Sequence, residues 1–379
     1  MKVSRRQFLK TSGVTASVPL VTTLAVNSSA AAPAFTPDLS LGYEANAVRM
    51  NLNENPLGPP AAAVAAAQAA IPYTNRYVSP ALLKKLLGDF HGMPAEWMLV
   101  GNGSTEMLKL VTLGFTPSPA YNMVSARETW STTPKFAANL GADIRYVKLL
   151  RHQVWEFDVD SMLSAVDSNT GIFFVVNPNN PTGAMLSFEQ LKQIADTLPP
   201  QVLFIIDEAY AQYTPGVKTG FDLLKQGYKN ILVTRPFSKA HGLAALRCGY
   251  GAGHPDILRK ITRFGCDAAS LNIGGYAALQ ATLADSSHLQ SARDLASEIN
   301  AFYKVQCEEL GLPIVTGSHA LPFVLIELGN NAGSIQQQLE NRNIFVRHVE
   351  SWGLPKHIRV SGGLKKHNQR FFSELKKLI

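Results

Sequence analysis

Three apolar runs, Ile172–Val176, Val202–Ile206 and Ile231–Thr234, each break directly into polar residues. Runs of this length without alternation are what strands buried on both faces look like, and such strands belong to parallel sheets covered by helices. The chain is thereby restricted to an α/β architecture. Open sheets of that kind bind ligands beyond the carboxyl ends of their strands, so the residues at these three ends are candidates for chemistry. The first run enters the turn-rich corner Asn177-Pro178-Asn179-Asn180-Pro181-Thr182-Gly183, the second Asp207-Glu208-Ala209-Tyr210, the third Phe237-Ser238-Lys239. The three ends deliver an amide, an acid with a phenol, and a lysine.

A lysine just past a buried strand is poorly solvated. Its ammonium form is disfavoured, so a neutral nucleophilic amine, able to form an imine with an aldehyde cofactor, comes within reach near pH 7. Beyond a helix-compatible bridge stands Arg247. Ser238 and Arg247 are residue types that hold a phosphate, a hydroxyl donor and a rigid cationic fork. Taken alone, the pair reads equally well as a solvated loop lysine and a surface cation. A second anion site is offered by Gly101-Asn102-Gly103-Ser104-Thr105-Glu106, which follows a strand at Met98–Val100 and opens a helix. Glycines allow the turn, Ser104 can cap, and free N–H groups at the helix's positive end attract an anion.

The whole chain agrees with a soluble globular enzyme. Its 379 residues have room for two domains and a sizeable core; 46% are apolar and 17% charged. The net charge of +7 misleads, because Lys2, Arg5, Arg6 and Lys10 stand in an acid-free leader and the rest carries only +3. That is no nucleic-acid footprint. Ser4-Arg5-Arg6-Gln7-Phe8-Leu9-Lys10, then a mildly apolar stretch and Ala30-Ala31-Ala32, looks like a twin-arginine export signal over 1–32. It implies a periplasmic protein that touches the membrane only in transit, or a cytoplasmic one if the leader does not work. Cys248 is expected to be buried and inert, a Cys266–Cys307 bridge stays open, and the scattered histidines and three cysteines suggest no metal site.

With these residues on the page, the chain resembles the fold-type-I pyridoxal-phosphate aminotransferases of class I and II, within them the histidinol-phosphate aminotransferases. The matching segments are LNENPLGPP at 52–60, NRY at 75–77, GNGSTEML at 101–108, NPNNPTG at 177–183, DEAY at 207–210, SKAHGLAALRCG at 238–249 and VRHVESWGLPKHIRVSGG at 346–363, in the family's order. The resemblance implies a three-layer αβα large domain with a mostly parallel sheet (61–285), a smaller α+β C-terminal domain (286–379) and an N-terminal arm (33–60). It implies pyridoxal 5′-phosphate held as an imine by Lys239, with Asp207 at its ring nitrogen and Asn180 and Tyr210 at its 3′ oxygen. Ser104, Thr105, Ser238, Arg247 and, from a second copy in a homodimer, Tyr77 would hold the phosphate. Trp130 would stack on the ring, where the branch usually has tyrosine. Arg359, Arg347 and Asn55 would meet the substrate. The reaction implied is amine transfer from histidinol phosphate or another α-amino acid to a 2-oxo acid such as 2-oxoglutarate. Decarboxylation or β-elimination would use the same lysine and acid, and a non-catalytic cofactor-binding sensor is a third class.

Further elements follow from local pattern. A helix is expected over 61–70, one starting after Ser187 with Glu189-Gln190 in its first turn, and a long one over Ser286–Leu310. Phe323–Glu327 and Asn343–Val346 read as strands of the small domain.

Overall fold

The computed structural model describes residues 38–152, 154–265 and 271–379. The expected leader and Cys266, with its pairing to Cys307, lie outside the described residues. The chain divides into two units, Met1–Ala45 and Asn46–Ile379. In the first, the described residues turn at Ser40, whose carbonyl accepts the Tyr43 N–H at 3.1 Å. All that follows concerns the second.

A seven-stranded sheet organises this unit. Its order is Met98–Gly101, Gly249–Gly253, Ile231–Pro236, Leu203–Asp207, Thr170–Val176, Asn122–Ala126, Asp143–Val147, and only Gly249–Gly253 runs against its neighbours. The three apolar runs are its central strands. Alternate residues serve opposite faces. Phe173, Val175, Phe204, Ile206 and Val233 join one core, whereas Ile172, Phe174, Leu203, Ile205 and Leu232 join another. Burial on both faces is what an unalternating run requires. Cross-strand register sets Val176 beside Asp207 and Asp207 beside Thr234, so the polar corners open side by side at one edge.

Helices Ala61–Ala70 and Ser286–Glu309 form where expected. Ser187 caps the Phe188–Thr197 helix in a reciprocal box with Gln190. Asp285 caps the long helix by accepting the His288 N–H at 3.0 Å, and beyond it lies a four-stranded antiparallel sheet. Its order is Ile314–Val315, Phe323–Glu327, Leu354–Ser361, Arg347–Val349. It has its own core, with Tyr303, Val324, Ile326, Ile358, Val360 and Phe371.

Ile344–Phe345 is a strand, as expected, with Ile344 in the small domain's core, and it pairs in parallel with Val48–Arg49. Two local expectations are corrected. The residues between Lys239 and Arg247 form turns, not a helix. Gly242 stands at φ +69°, where a Cβ would come within 2.3 Å of the Gly58 carbonyl oxygen, so the 52–60 loop presses on this bridge. Ser104 does not cap its helix. Gly103, at φ +78°, takes the cap position and Ser104 becomes the first helical residue.

Candidate active site

The carboxyl edge of the sheet forms the floor of a cavity of about 330 Å³. Asp207, Lys239, Asn180, Tyr210, Ser104, Thr105, Ser238, Arg247, Trp130, Arg347 and Arg359 all line it. Eleven residues singled out from sequence are thus brought together from six separate stretches of chain.

Asp207 and Glu208 are neighbours with opposite fates, because successive strand residues face opposite sides. Glu208 turns away and is neutralised by Arg235 (Nε 2.8 Å, Nη2 2.7 Å) and by the Gly220 N–H at 2.6 Å. Asp207 faces the cavity and is buried, with the Thr234 hydroxyl as donor at 3.2 Å. Lost hydration pushes its carboxyl up to about 7; the Glu208 charge adds to this, while Thr234, the Ala209 N–H and Lys239 oppose it.

Lys239, half-buried, donates its Nζ to the Leu52 carbonyl at 2.8 Å. Its ammonium is pushed down to about 8, first by lost hydration and then by the Arg359 charge, with Glu54 and Asp207 restoring part. Arg359 is buried; its Nη1 donates to Asn180 Oδ1 at 3.1 Å and its Nη2 to the Asn51 carbonyl. Burial lowers it to about 10. Burial likewise raises the Tyr210 phenol to about 12, against the pull of Arg359 and an Asn53 hydrogen bond.

The anion cup depends on two glycines. At Gly103 a Cβ would stand 2.5 Å from Arg247 Nη2, and at Gly249 a Cβ would stand 2.4 Å from the Ser104 nitrogen. Without side chains there, the Arg247 guanidinium can lie against Gly103 and the Gly249 backbone against the Ser104 nitrogen, at the helix N-terminus whose N–H groups attract an anion. Arg247 holds φ +47° to reach it.

Two predicted residues stand elsewhere. Asn55 donates to the Ala240 carbonyl at 2.8 Å, bracing the 52–60 loop, and is off the cavity wall. Tyr77 is 92% exposed and also off the wall of its own chain's cavity. Sequence reasoning missed Asn51, Glu54 and Trp352, which line the cavity, and Asn53 behind it. The buried Trp352 indole has the Arg347 guanidinium 5.4 Å and the Arg359 guanidinium 5.6 Å from its ring centre. The density of polar side chains in Asn51–Asn55 was a usable signal, but not one that ranks its members. Cys248 is buried, as expected, and burial raises its thiol to about 12.

A lysine, an acid and an anion cup at the carboxyl edge of such a sheet define the pyridoxal-phosphate transferases of fold type I. The sequence profile described as "Aminotransferase class I and II" matches residues 45–373, and the chain belongs to that family. It is 34% identical over 342 residues to histidinol-phosphate aminotransferase 2 of Pseudomonas fluorescens (strain Pf0-1), covering 88% of this chain and 90% of that one. To histidinol-phosphate aminotransferase of Symbiobacterium thermophilum it is 34% identical over 333 residues, covering 87% and 90%. Among solved structures, histidinol-phosphate aminotransferase from Sinorhizobium meliloti, in complex with pyridoxal-5′-phosphate, superposes with a TM-score of 0.78 at 24% identity, covering 88% of this chain and 92% of that one.

The residues present fit the cofactor. Gly103 and Gly249 let Arg247 and the Ser104 nitrogen approach closely, and the anion donors gathered on the cavity wall (Ser104, Thr105, Ser238, Arg247) are hydroxyls and a guanidinium, none of them acidic. Among the described residues, Lys239 is the one amine on the cavity wall, which it shares with Asp207.

Proposed function

The chain is a pyridoxal-phosphate-dependent aminotransferase, and we propose that its amino donor carries an anionic group, histidinol phosphate or an α-amino acid, with a 2-oxo acid such as 2-oxoglutarate as acceptor. The observation that carries this reading is the pair of arginines flanking Trp352 on the cavity wall. Two cations in a partly desolvated cavity select for negative charge.

When bound, pyridoxal phosphate supplies the electron sink that lets an amine's α-proton be removed. Ser104, Thr105, Ser238 and Arg247 would hold its phosphate, and Asp207 would keep a proton on its ring nitrogen. Trp130 would cover the ring, and Asn180 and Tyr210 would address its 3′ oxygen. Lys239 would carry it covalently and then, displaced by the substrate amine, take and return the α-proton as general base and acid. With its ammonium at about 8, Lys239 has a neutral fraction at neutral pH that a solvated lysine lacks. Arg359, fixed by Asn180 and Asn51, would orient the substrate's anion.

Donor profiling tests this: histidinol phosphate, aromatic and other α-amino acids and primary amines without an anionic group, side by side with the purified mature protein, measuring the carbonyl product. Anionic donors should dominate. Release of CO₂ or pyruvate without amine transfer, or a preference for donors lacking an anion, would overturn it. We further propose a homodimer in which Tyr77 of one copy reaches the cup of the other, supported by its exposure and that of Ile71 and Tyr73 nearby. Export to the periplasm through residues 1–32 is proposed from the leader's pattern. Solution mass and cell fractionation are the direct checks on these two.

A further inference from the structure

Asn53 lies behind the cavity, buried, at φ +54°, a left-handed conformation that asparagine tolerates better than most residues. Its contacts fix which way its amide points. The Asn53 N–H donates to Ser361 Oγ at 2.8 Å, which leaves the Ser361 hydroxyl to donate to Asn53 Oδ1 at 2.7 Å. The Asn53 Nδ2 is then the group facing Tyr210, to whose hydroxyl oxygen it donates at 2.8 Å. On the other side, Arg359 can only donate, and it gives a hydrogen bond to Asn180 Oδ1 at 3.1 Å. That turns the Asn180 Nδ2 to Tyr210 as well, at 3.3 Å.

A phenol oxygen has two lone pairs and one proton to give. Both lone pairs of Tyr210 face amide donors, and among the described residues its proton meets no acceptor. The remaining direction is the cavity that Tyr210 lines. We infer that Asn53 is a positioning residue that turns the Tyr210 proton into the cavity, making Tyr210 an obligate donor to the acceptor bound there. Ser361 on the four-stranded sheet and Tyr210, three residues past the end of the Leu203–Asp207 strand, are both held through this one side chain. The inference rests on the reading of Tyr210 as a cofactor contact.

The pH midpoint of the visible absorption of the bound cofactor reads this directly. A donor to an acceptor oxygen stabilises negative charge on it, so losing the donor raises the coupled midpoint. Tyr210→Phe should therefore raise the midpoint by about one to two units, the value of a hydrogen bond to a charged group. Asn53→Gly deletes the amide and remains at ease at positive φ; it should raise the midpoint by about half to one unit in otherwise unchanged protein. Added to Tyr210→Phe, it should do nothing further, since it acts through that hydroxyl. Asn53→Asp, of the same shape, replaces the donor by an acceptor that captures the proton, and should shift the midpoint at least as far as Asn53→Gly. A midpoint unmoved by Asn53→Gly and Asn53→Asp, even with a lowered melting temperature, overturns the inference, as does a shift that adds to that of Tyr210→Phe. If Tyr210→Phe itself moves nothing, the reading of Tyr210 falls too; if it alone moves the midpoint, only the role of Asn53 fails.

Discussion

The two sides of the cavity are built by opposite means. On the side of the seven-stranded sheet, Asp207, Asn180 and Lys239 stand where buried strands end or just beyond, and backbone register aligns the strand ends that carry them. On the other, Arg359 lies within the Leu354–Ser361 strand, Arg347 on its neighbour, and Trp352 on the turn between them. Their positions depend on side-chain contacts: two guanidiniums over one indole, and hydrogen bonds from Arg359 to Asn51 and Asn180. A site whose chemistry sits on the rigid side and whose selectivity sits on the side-chain-held one can change donors without losing its reaction. The difference implies that damage to the first side abolishes turnover and damage to the second redistributes substrates.

The largest expected effect is at Lys239. Lys239→Ala should lose essentially all turnover and the covalent linkage that borohydride reduction traps. In the unaltered cofactor-free protein, uptake of pyridoxal phosphate should quicken as pH rises, since the neutral amine gains about tenfold per unit below its midpoint, and should level off near 8. Trapped linkage in Lys239→Ala, or uptake that slows toward alkaline pH, would break the assignment of this side.

Next is Asp207→Asn, which should retain cofactor through the cup yet turn over ~10²–10³ times more slowly, the usual loss for one preorganised electrostatic partner. Unchanged turnover in this variant would remove the electron-sink role of the carboxylate. The smallest effect is expected on the opposite side. Trp352→Leu should leave cofactor absorption and binding as they were and weaken kcat/KM for anionic donors by about tenfold, the scale of a partly desolvated cation–π contact. Neutral amine donors should be spared. Equal losses for all donors would erase the distinction between the two sides.

How much of this was legible depended on the range over which each feature is determined. An unalternating apolar run reports burial on both faces within five residues, and a strand end locates chemistry without knowledge of the partner strands. Asp207, Lys239, Asn180, Tyr210 and the cup residues were therefore readable one segment at a time, and they converge as expected. Trp130 was readable only through family likeness, as were Arg347 and Arg359, and each does line the cavity.

What sequence could not decide were choices between near neighbours. In Asn51-Leu52-Asn53-Glu54-Asn55, every polar residue looks equally available, and Asn55 is the one turned away to Ala240. The selection of Asn53 comes from Ser361, 308 residues on in the chain, and from Tyr210 in the turn beyond the Leu203–Asp207 strand. Nothing local encodes that meeting, because it arises only when the two sheets pack through the 52–60 loop. Sequence by itself determined which residue types stand at the strand ends and hence the class of chemistry. Packing alone decided which face of the loop meets the phenol, and that two arginines share one indole, since hydrogen bonds and ring contacts act over a few ångströms whatever the distance along the chain.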